Sequence, residues 1–152
     1  MQPEVSSTAV LLQATFDSAT AEVVFLVARV LFGGVLAFMG LNHFLNGDQM
    51  AGYADAKGVP AAEVMVPLSG GMLLLGGLSV VTGAFPVLGA GALAVFLLVS
   101  TPTMHDFWAA PEEQQQTEMT QFLKNVALVG GALAFLALGG GAWPFAVEMT
   151  AL

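Results

Sequence analysis

The sequence predicts an all-α membrane protein, an up-down bundle of four transmembrane helices. The chain has 152 residues, of which 57% are hydrophobic and only 9% are charged, whereas a soluble domain carries about 25% charged residues. A soluble chain of this size needs polar side chains to cover its surface, and disorder requires low hydrophobicity. Both classes are therefore excluded. The sequence also lacks the period-two alternation that a transmembrane barrel requires.

Four long apolar segments supply the predicted spans. Each is close to the about 20 residues that cross about 30 Å of hydrocarbon at about 1.5 Å per residue. The first and fourth segments contain Arg29 and Lys124, and the other two carry no charge. The segments cover residues 23–44, 64–81, 85–104 and 122–138.

The connections between the spans are short and rich in turn-forming residues. Asn46, Gly47 and Asp48 are predicted to end the first helix, and residues 58–60 precede the second. Residues 83–86 predict a tight hairpin, in which the proline suits the first turn of the third span. The two acids that follow Pro111 predict a short helix leading to the fourth span, because carboxylates are favourable near a helix N-terminus.

Residues 1–21 differ from the rest of the chain, and residues 22–152 form the predicted four-helix domain. The segment has no basic region, so it is a poor secretory signal. Two interpretations remain open for it. Residues 9–12 with Phe16 could form a short interfacial helix capped by Ser6 or Ser7, or the segment is a tail.

Small residues at four-residue spacing predict close helix packing. Such pairs let two helix backbones approach each other in a membrane. The same faces are alternatives for contact with a membrane protein partner or for homo-oligomerisation. The pairs are Gly33/Ala37, Ala90/Ala94, Ala127/Gly131 and Gly130/Ala134.

The few polar residues at the span ends are the candidate functional residues. Alternate span ends share one side of an up-down bundle, so the pairs at residues 42–43, 105–106 and 124–125 are predicted to converge on one membrane face. Trp108, Asp48 and Glu118 join that face from the connections. Polar groups near hydrocarbon are costly unless they are paired, which makes them functional candidates. The candidate cofactor-binding residues are Arg29, Asn42, His43, His105, Asp106, Trp108, Lys124 and Asn125.

Arg29 lies on the same predicted helix face as His43, with Gly33 and Gly40 between them. These glycines predict a slot running down from the polar face, with Arg29 at its far end. The alternatives are that Arg29 snorkels to the opposite interface or pairs with an acid, Glu22 or Glu148.

The two histidines have two interpretations. They either cap helices by bonding to loop carbonyls or bind a quinone oxygen and carry protons, since imidazole changes charge near neutral pH. Asp106 either relays that proton or pairs with Lys124. No HxH or HxxxH pair is present, so no metal site is predicted.

The sequence excludes other chemistry. The chain has no cysteine, which excludes disulfides and thiol catalysis. Its 11 acids against three bases argue against a nucleic acid partner, because phosphate binding needs Lys and Arg.

Several short motifs resemble the DoxX-like (DoxX/DoxD) family of small prokaryotic membrane proteins. They are residues 28–31, 40–44 and 105–108, together with the stretch FLKNVALVGGAL at residues 122–133. The resemblance implies a four-helix, multi-pass protein of the cell membrane. It also implies a link to quinone-dependent sulfur-compound oxidation and to membrane oxidoreductase complexes. Two functions follow as expectations: a quinone-binding subunit or accessory of a redox complex, or a structural and assembly subunit without catalytic activity.

The acidic excess predicts a halophilic source. Seven of the 11 acids lie on the same side of the predicted bundle as the polar span ends, where salt screens their mutual repulsion. Raising NaCl from about 0.1 M to about 1 M is expected to raise the thermal unfolding temperature. Differential scanning fluorimetry in detergent measures it, and an unfolding temperature that does not rise with salt would contradict the prediction.

Overall fold

The computed structural model describes residue 16 and residues 18–147, and this part of the chain contains five helices and no strand. All of the helices except α2 are long and apolar enough to cross a membrane. This confirms the predicted four-span, all-α fold. Of the tail or interfacial helix predicted for residues 1–21, residues 1–15 and residue 17 lie outside the described residues. The helices are α1 (Ala19–Leu45), α2 (Gly47–Ala56), α3 (Ala62–Thr82), α4 (Pro86–Met104) and α5 (Glu112–Leu138).

Helix α1 begins four residues before the apolar segment because Ser18 caps it. The Ser18 hydroxyl oxygen accepts a hydrogen bond from the backbone N–H of Ala21 at 3.2 Å. The helix ends where the Asn46 N–H donates to the carbonyl of Asn42 at 3.0 Å. The predicted end of the first helix at Asn46 is confirmed, but no loop follows it. The chain instead continues at once into α2, a helix that the sequence prediction missed.

The connection between α3 and α4 is the tight hairpin that the sequence predicted. Gly83 and Phe85 both have left-handed backbone conformations, with φ of 75° and 52°. The Gly83 N–H donates to the carbonyl of Ser79 at 2.8 Å, and the Ser79 hydroxyl donates to the carbonyl of Ala84 at 2.6 Å. Pro86 occupies the first turn of α4, where its missing N–H costs nothing.

The helix that contains the fourth span is longer than the predicted span. The residues after Pro111 do not form a separate short helix, because α5 runs without a break from Glu112 to Leu138. Its 27 residues span about 40 Å, which exceeds the hydrocarbon thickness of about 30 Å. The polar first third of α5 therefore extends beyond its apolar part.

Glycines bring α1 and α3 into backbone contact. A Cβ atom built on Gly33 would lie 2.5 Å from the carbonyl oxygen of Gly77, and one built on Gly40 would lie 2.7 Å from the carbonyl oxygen of Gly70. Only hydrogen atoms fit at these positions. The prediction of an open slot beside Gly33 and Gly40 is therefore wrong, because α3 fills this space.

The remaining helices pack in chain order, and aromatic rings close the bundle. Leu73 and Val80 of α3 and Leu93 of α4 are completely buried. The Phe25 ring of α1 packs 5.8 Å from the Phe135 ring of α5, measured between centroids. Of the predicted small-residue pairs, Ala90/Ala94 is buried, whereas Ala127, Gly130 and Ala134 lie on an exposed face of α5.

Gly33→Ala is expected to lower the free energy of unfolding by about 1–3 kcal/mol, because the new methyl group would overlap the backbone of α3. Gly34→Ala is the matched control, since no atom of the described residues lies within 4 Å of a Cβ built there. Unfolding by SDS titration, followed by circular dichroism, measures both. Equal stability of the two variants would contradict the proposed backbone contact.

Candidate functional site

Arg29 is completely buried at the hairpin end of the bundle, where it caps the C-terminus of α3. Its Nε donates to the carbonyl of Val80 at 3.0 Å, its Nη2 to that of Val81 at 2.7 Å, and its Nη1 to that of Pro144 at 2.6 Å. Carbonyls in the last turn of a helix lack partners within the helix, and the helix dipole favours a cation there. Arg29 therefore does not snorkel to the interface.

Two aromatic rings complete the surroundings of Arg29. The guanidinium carbon lies 5.8 Å from the centroid of Phe25 and 5.2 Å from that of Trp143, within the range of cation–π attraction. Arg29 thus joins α1, α3 and the segment after α5. His43 lies fourteen residues further along α1, which is about 21 Å of helix. The structure does not bring these two candidate residues together.

Two pairs of charged or titratable side chains lie at the opposite end of the bundle. Lys57, directly after α2, binds the Oδ1 atom of Asp106 at 2.8 Å. The Nδ1 atom of His105 lies 2.8 Å from the Oε2 atom of Glu118 on α5. The hydrogen bond from Lys57 lowers the pKa of Asp106, and the same bond raises the pKa of Lys57. The predicted pairing of Asp106 with Lys124 is therefore wrong.

Three further candidates, Trp108, Lys124 and Asn125, lie on the α5 side of this end. The rings of Phe107, Trp108 and Phe122 form an aromatic cluster with centroids 5.1–5.9 Å apart. Trp108 remains 59% exposed, which is typical of an aromatic side chain at a membrane interface. Lys124 is exposed and hydrogen-bonds to Gln121, whereas Asn125 is half-buried.

A cavity of about 820 Å³ lies between the C-terminal end of α1, α2, the first half of α3 and the second half of α4. It is called the α1–α4 cavity below. Most of its wall is apolar and includes four methionines, whose flexible side chains fill irregular space. The methionines are Met50, Met65, Met72 and Met104.

The α1–α4 cavity opens towards the lipid. Leu68 of α3 and Val95 and Val99 of α4 line it, and each is more than half exposed on the surface of the bundle. In a membrane that surface contacts acyl chains. A hydrophobic molecule can therefore enter the cavity sideways between α3 and α4 without crossing water.

Two of the eight candidate residues, Asn42 and His43, line this cavity. The sequence prediction missed the contribution of α2, because that helix is too short to stand out by hydropathy. Gln49, Met50 and Tyr53 are spaced to share one helical face, and all three line the cavity. That spacing is the signal that could have identified them.

The ring of His43 has one nitrogen already engaged. Its Nδ1 lies 2.8 Å from the carbonyl oxygen of Met39. A carbonyl oxygen only accepts hydrogen bonds, so Nδ1 carries the proton and Nε2 is the nitrogen left for a ligand. The ring also meets Phe96 of α4 edge to face, with 6.3 Å between the centroids.

A second cleft, of about 950 Å³, lies on the other side of His43. It is called the acidic cleft below, because Asp48, Asp55 and Glu63 line it together with His43. Among the residues that the structure describes, no group of three or more His, Cys, Asp or Glu side chains is arranged to hold a metal ion.

The comparison with protein families identifies the chain. The family model described as DoxX matches residues 24–106. The protein belongs to the DoxX family. The match runs from α1 to the end of α4 and contains every residue that lines the α1–α4 cavity, whereas the stretch at residues 122–133 lies outside it. No match was found among curated proteins or among solved structures.

Arg29→Met is expected to destabilise this DoxX-family protein strongly. The substitution leaves three carbonyls without their donor, at about 1–3 kcal/mol for each buried group. Arg29→Lys is expected to lose less, because an ammonium group keeps the charge at the end of α3. Thermal unfolding in detergent measures both, and a wild-type unfolding temperature for Arg29→Met would contradict the capping role.

Proposed function

We propose that this DoxX-family protein is an integral membrane subunit of a redox complex that binds a quinone in the α1–α4 cavity. The observation that supports this proposal is the cavity itself. It is apolar, it opens towards the lipid, and an imidazole and a carboxamide, His43 and Asn42, lie in its wall.

The size and polarity of the cavity support a quinone-class ligand. Small-molecule sites commonly have about 300–1,000 Å³, with mostly apolar walls and a few polar groups that fix the orientation. The α1–α4 cavity matches this description at about 820 Å³. A quinone ring is flat and uncharged, so it requires apolar walls and hydrogen bonds to its two oxygens. Among the residues that the structure describes, no Lys, Arg, Asp or Glu lines the cavity, which disfavours a charged ligand.

The lateral opening supports a ligand that carries a hydrophobic chain. The exposed side chains of Leu68, Val95 and Val99 lie where such a chain would leave the cavity for the bilayer. Membrane quinones carry their ring at one end of an isoprenoid chain. The arrangement therefore suits a ring in the cavity with its chain in the lipid.

In this proposal the residues around the cavity hold the helices in place. The Lys57–Asp106 pair ties the end of α2 to the end of α4, and the His105–Glu118 pair ties α4 to α5. The first pair therefore positions the cover of the cavity against one of its walls, whereas α5, which the second pair contacts, contributes no residue to the lining. Electron exchange is assigned to a partner redox protein, in keeping with the resemblance to components of oxidoreductase complexes.

Filling the cavity tests the proposal. Ser100→Phe places a ring in it and is expected to weaken quinone binding at least about tenfold, which corresponds to about 1.4 kcal/mol. Leu98→Phe is the matched control, because Leu98 is exposed on the same helix and does not line the cavity. Calorimetric titration of a short-chain benzoquinone into protein in lipid nanodiscs measures both. Wild-type protein that binds no quinone and carries none from native lipid would refute the proposal.

A structural or assembly subunit is the second candidate, and the exposed face of α5 favours it. Ala127, Gly130 and Ala134 form a line of small residues on that face, and in the part of the chain that the structure describes no atom lies within 4 Å of a Cβ built on Gly130. Small residues permit close helix association in membranes. Under this alternative, Gly130→Leu breaks co-purification with the partner, while Ser100→Phe leaves the activity of the complex intact.

A further inference from the structure

His43 forms a wall between two different environments. It lines the largely apolar α1–α4 cavity on one side and the acidic cleft on the other. The side chain is half-buried near the C-terminal end of α1. A group in this position can meet a ligand in the cavity and exchange a proton with the cleft.

The hydrogen bond to Met39 leaves His43 with one variable nitrogen. Because Nδ1 carries a proton in both charge states, only Nε2 changes with protonation. In the neutral ring Nε2 accepts a hydrogen bond, and in the imidazolium it donates one. The carbonyls of a quinone only accept hydrogen bonds, whereas the hydroxyls of a hydroquinone also donate.

Four other polar groups of the cavity do not switch between accepting and donating a hydrogen bond in the way that Nε2 does. The hydroxyls of Ser69 and Thr103 donate to the carbonyls of Val66 and Val99, at 2.8 Å each, and keep only their acceptor sites for a ligand. Gln49 and Tyr53 are exposed and both donate and accept.

We propose that His43 makes the relative affinity of the cavity for quinone and hydroquinone depend on pH. Neutral His43 favours the hydroquinone and protonated His43 favours the quinone. The inference rests on the proposed function, since it assumes that a quinone-class ligand occupies the cavity.

The charged side chains that share the cleft with His43 come from two helices. Asp48 and Asp55 belong to α2 and Glu63 belongs to the first turn of α3, whereas α4 presents the uncharged ring of Phe96. In this proposal the cleft that these three carboxylates line supplies the proton to the imidazole.

Binding of both forms, measured anaerobically, tests the inference. A short-chain benzoquinone and its hydroquinone are titrated by calorimetry into wild-type protein in nanodiscs at about pH 5 and about pH 8, the interval in which imidazoles titrate. The ratio of hydroquinone to quinone affinity is expected to rise about fivefold with pH, the equivalent of one hydrogen bond of about 1 kcal/mol. This measurement needs no variant.

A pair of histidine variants assigns the effect. His43→Gln donates and accepts at every pH, so its affinity ratio is expected to be constant. His105→Gln is the matched control, because His105 does not line the cavity, and it is expected to keep the pH dependence.

The possible failures are distinguishable. If neither form binds the wild-type protein, the proposed function is wrong. If both forms bind with a ratio that does not change with pH, the binding function stands and the role of His43 is overturned. A pH-dependent ratio that persists in His43→Gln also overturns that role.

Discussion

The backbone contact between α1 and α3 is the constraint on which the rest of the structure depends. Gly33 meets Gly77, and Gly40 meets Gly70, so the two helix backbones are in contact over about two turns. In a membrane, lipid removes the hydrophobic force between helices, and close packing and hydrogen bonds replace it. This contact fixes α1 on α3, and α2 then has to cover the end of the pair from which it emerges.

The two ends of the bundle are held by different interactions. At the hairpin end, Arg29 satisfies three carbonyls in a fully buried position and joins α1 to α3. At the other end, the Lys57–Asp106 and His105–Glu118 pairs are partly exposed to solvent. Exposed ion pairs contribute little stability, whereas a buried guanidinium that lost its acceptors would be very costly. The hairpin end therefore has the stronger interactions, and the proposed ligand site lies at the end with the weaker ones.

The cavity lies at the end of the bundle where α3 and α4 are not in contact. Near the hairpin, a Cβ built on Gly76 would lie 3.0 Å from the carbonyl oxygen of Gly89, so the two helices are in contact there. Towards the other end the cavity lies between them, lined by Ser69 of α3 and Ser100 of α4. A ligand at that end meets both the lipid and His43. The proposed quinone site and the proposed pH dependence thus rest on the same geometry.

The sequence by itself determined the environment, the number of spans and the hairpin at Gly83, because length, hydropathy and turn chemistry are local properties. It also placed Asn42 and His43 at the end of the first span where the α1–α4 cavity lies. Only the tertiary structure decided that α3 fills the stripe beside Gly33 and Gly40, that Asp106 pairs with Lys57, and that α2 covers a cavity. These features depend on which helix faces meet across the bundle. The pattern of a single helix does not carry that information, because a small-residue stripe looks the same whether a neighbouring helix fills it or lipid does.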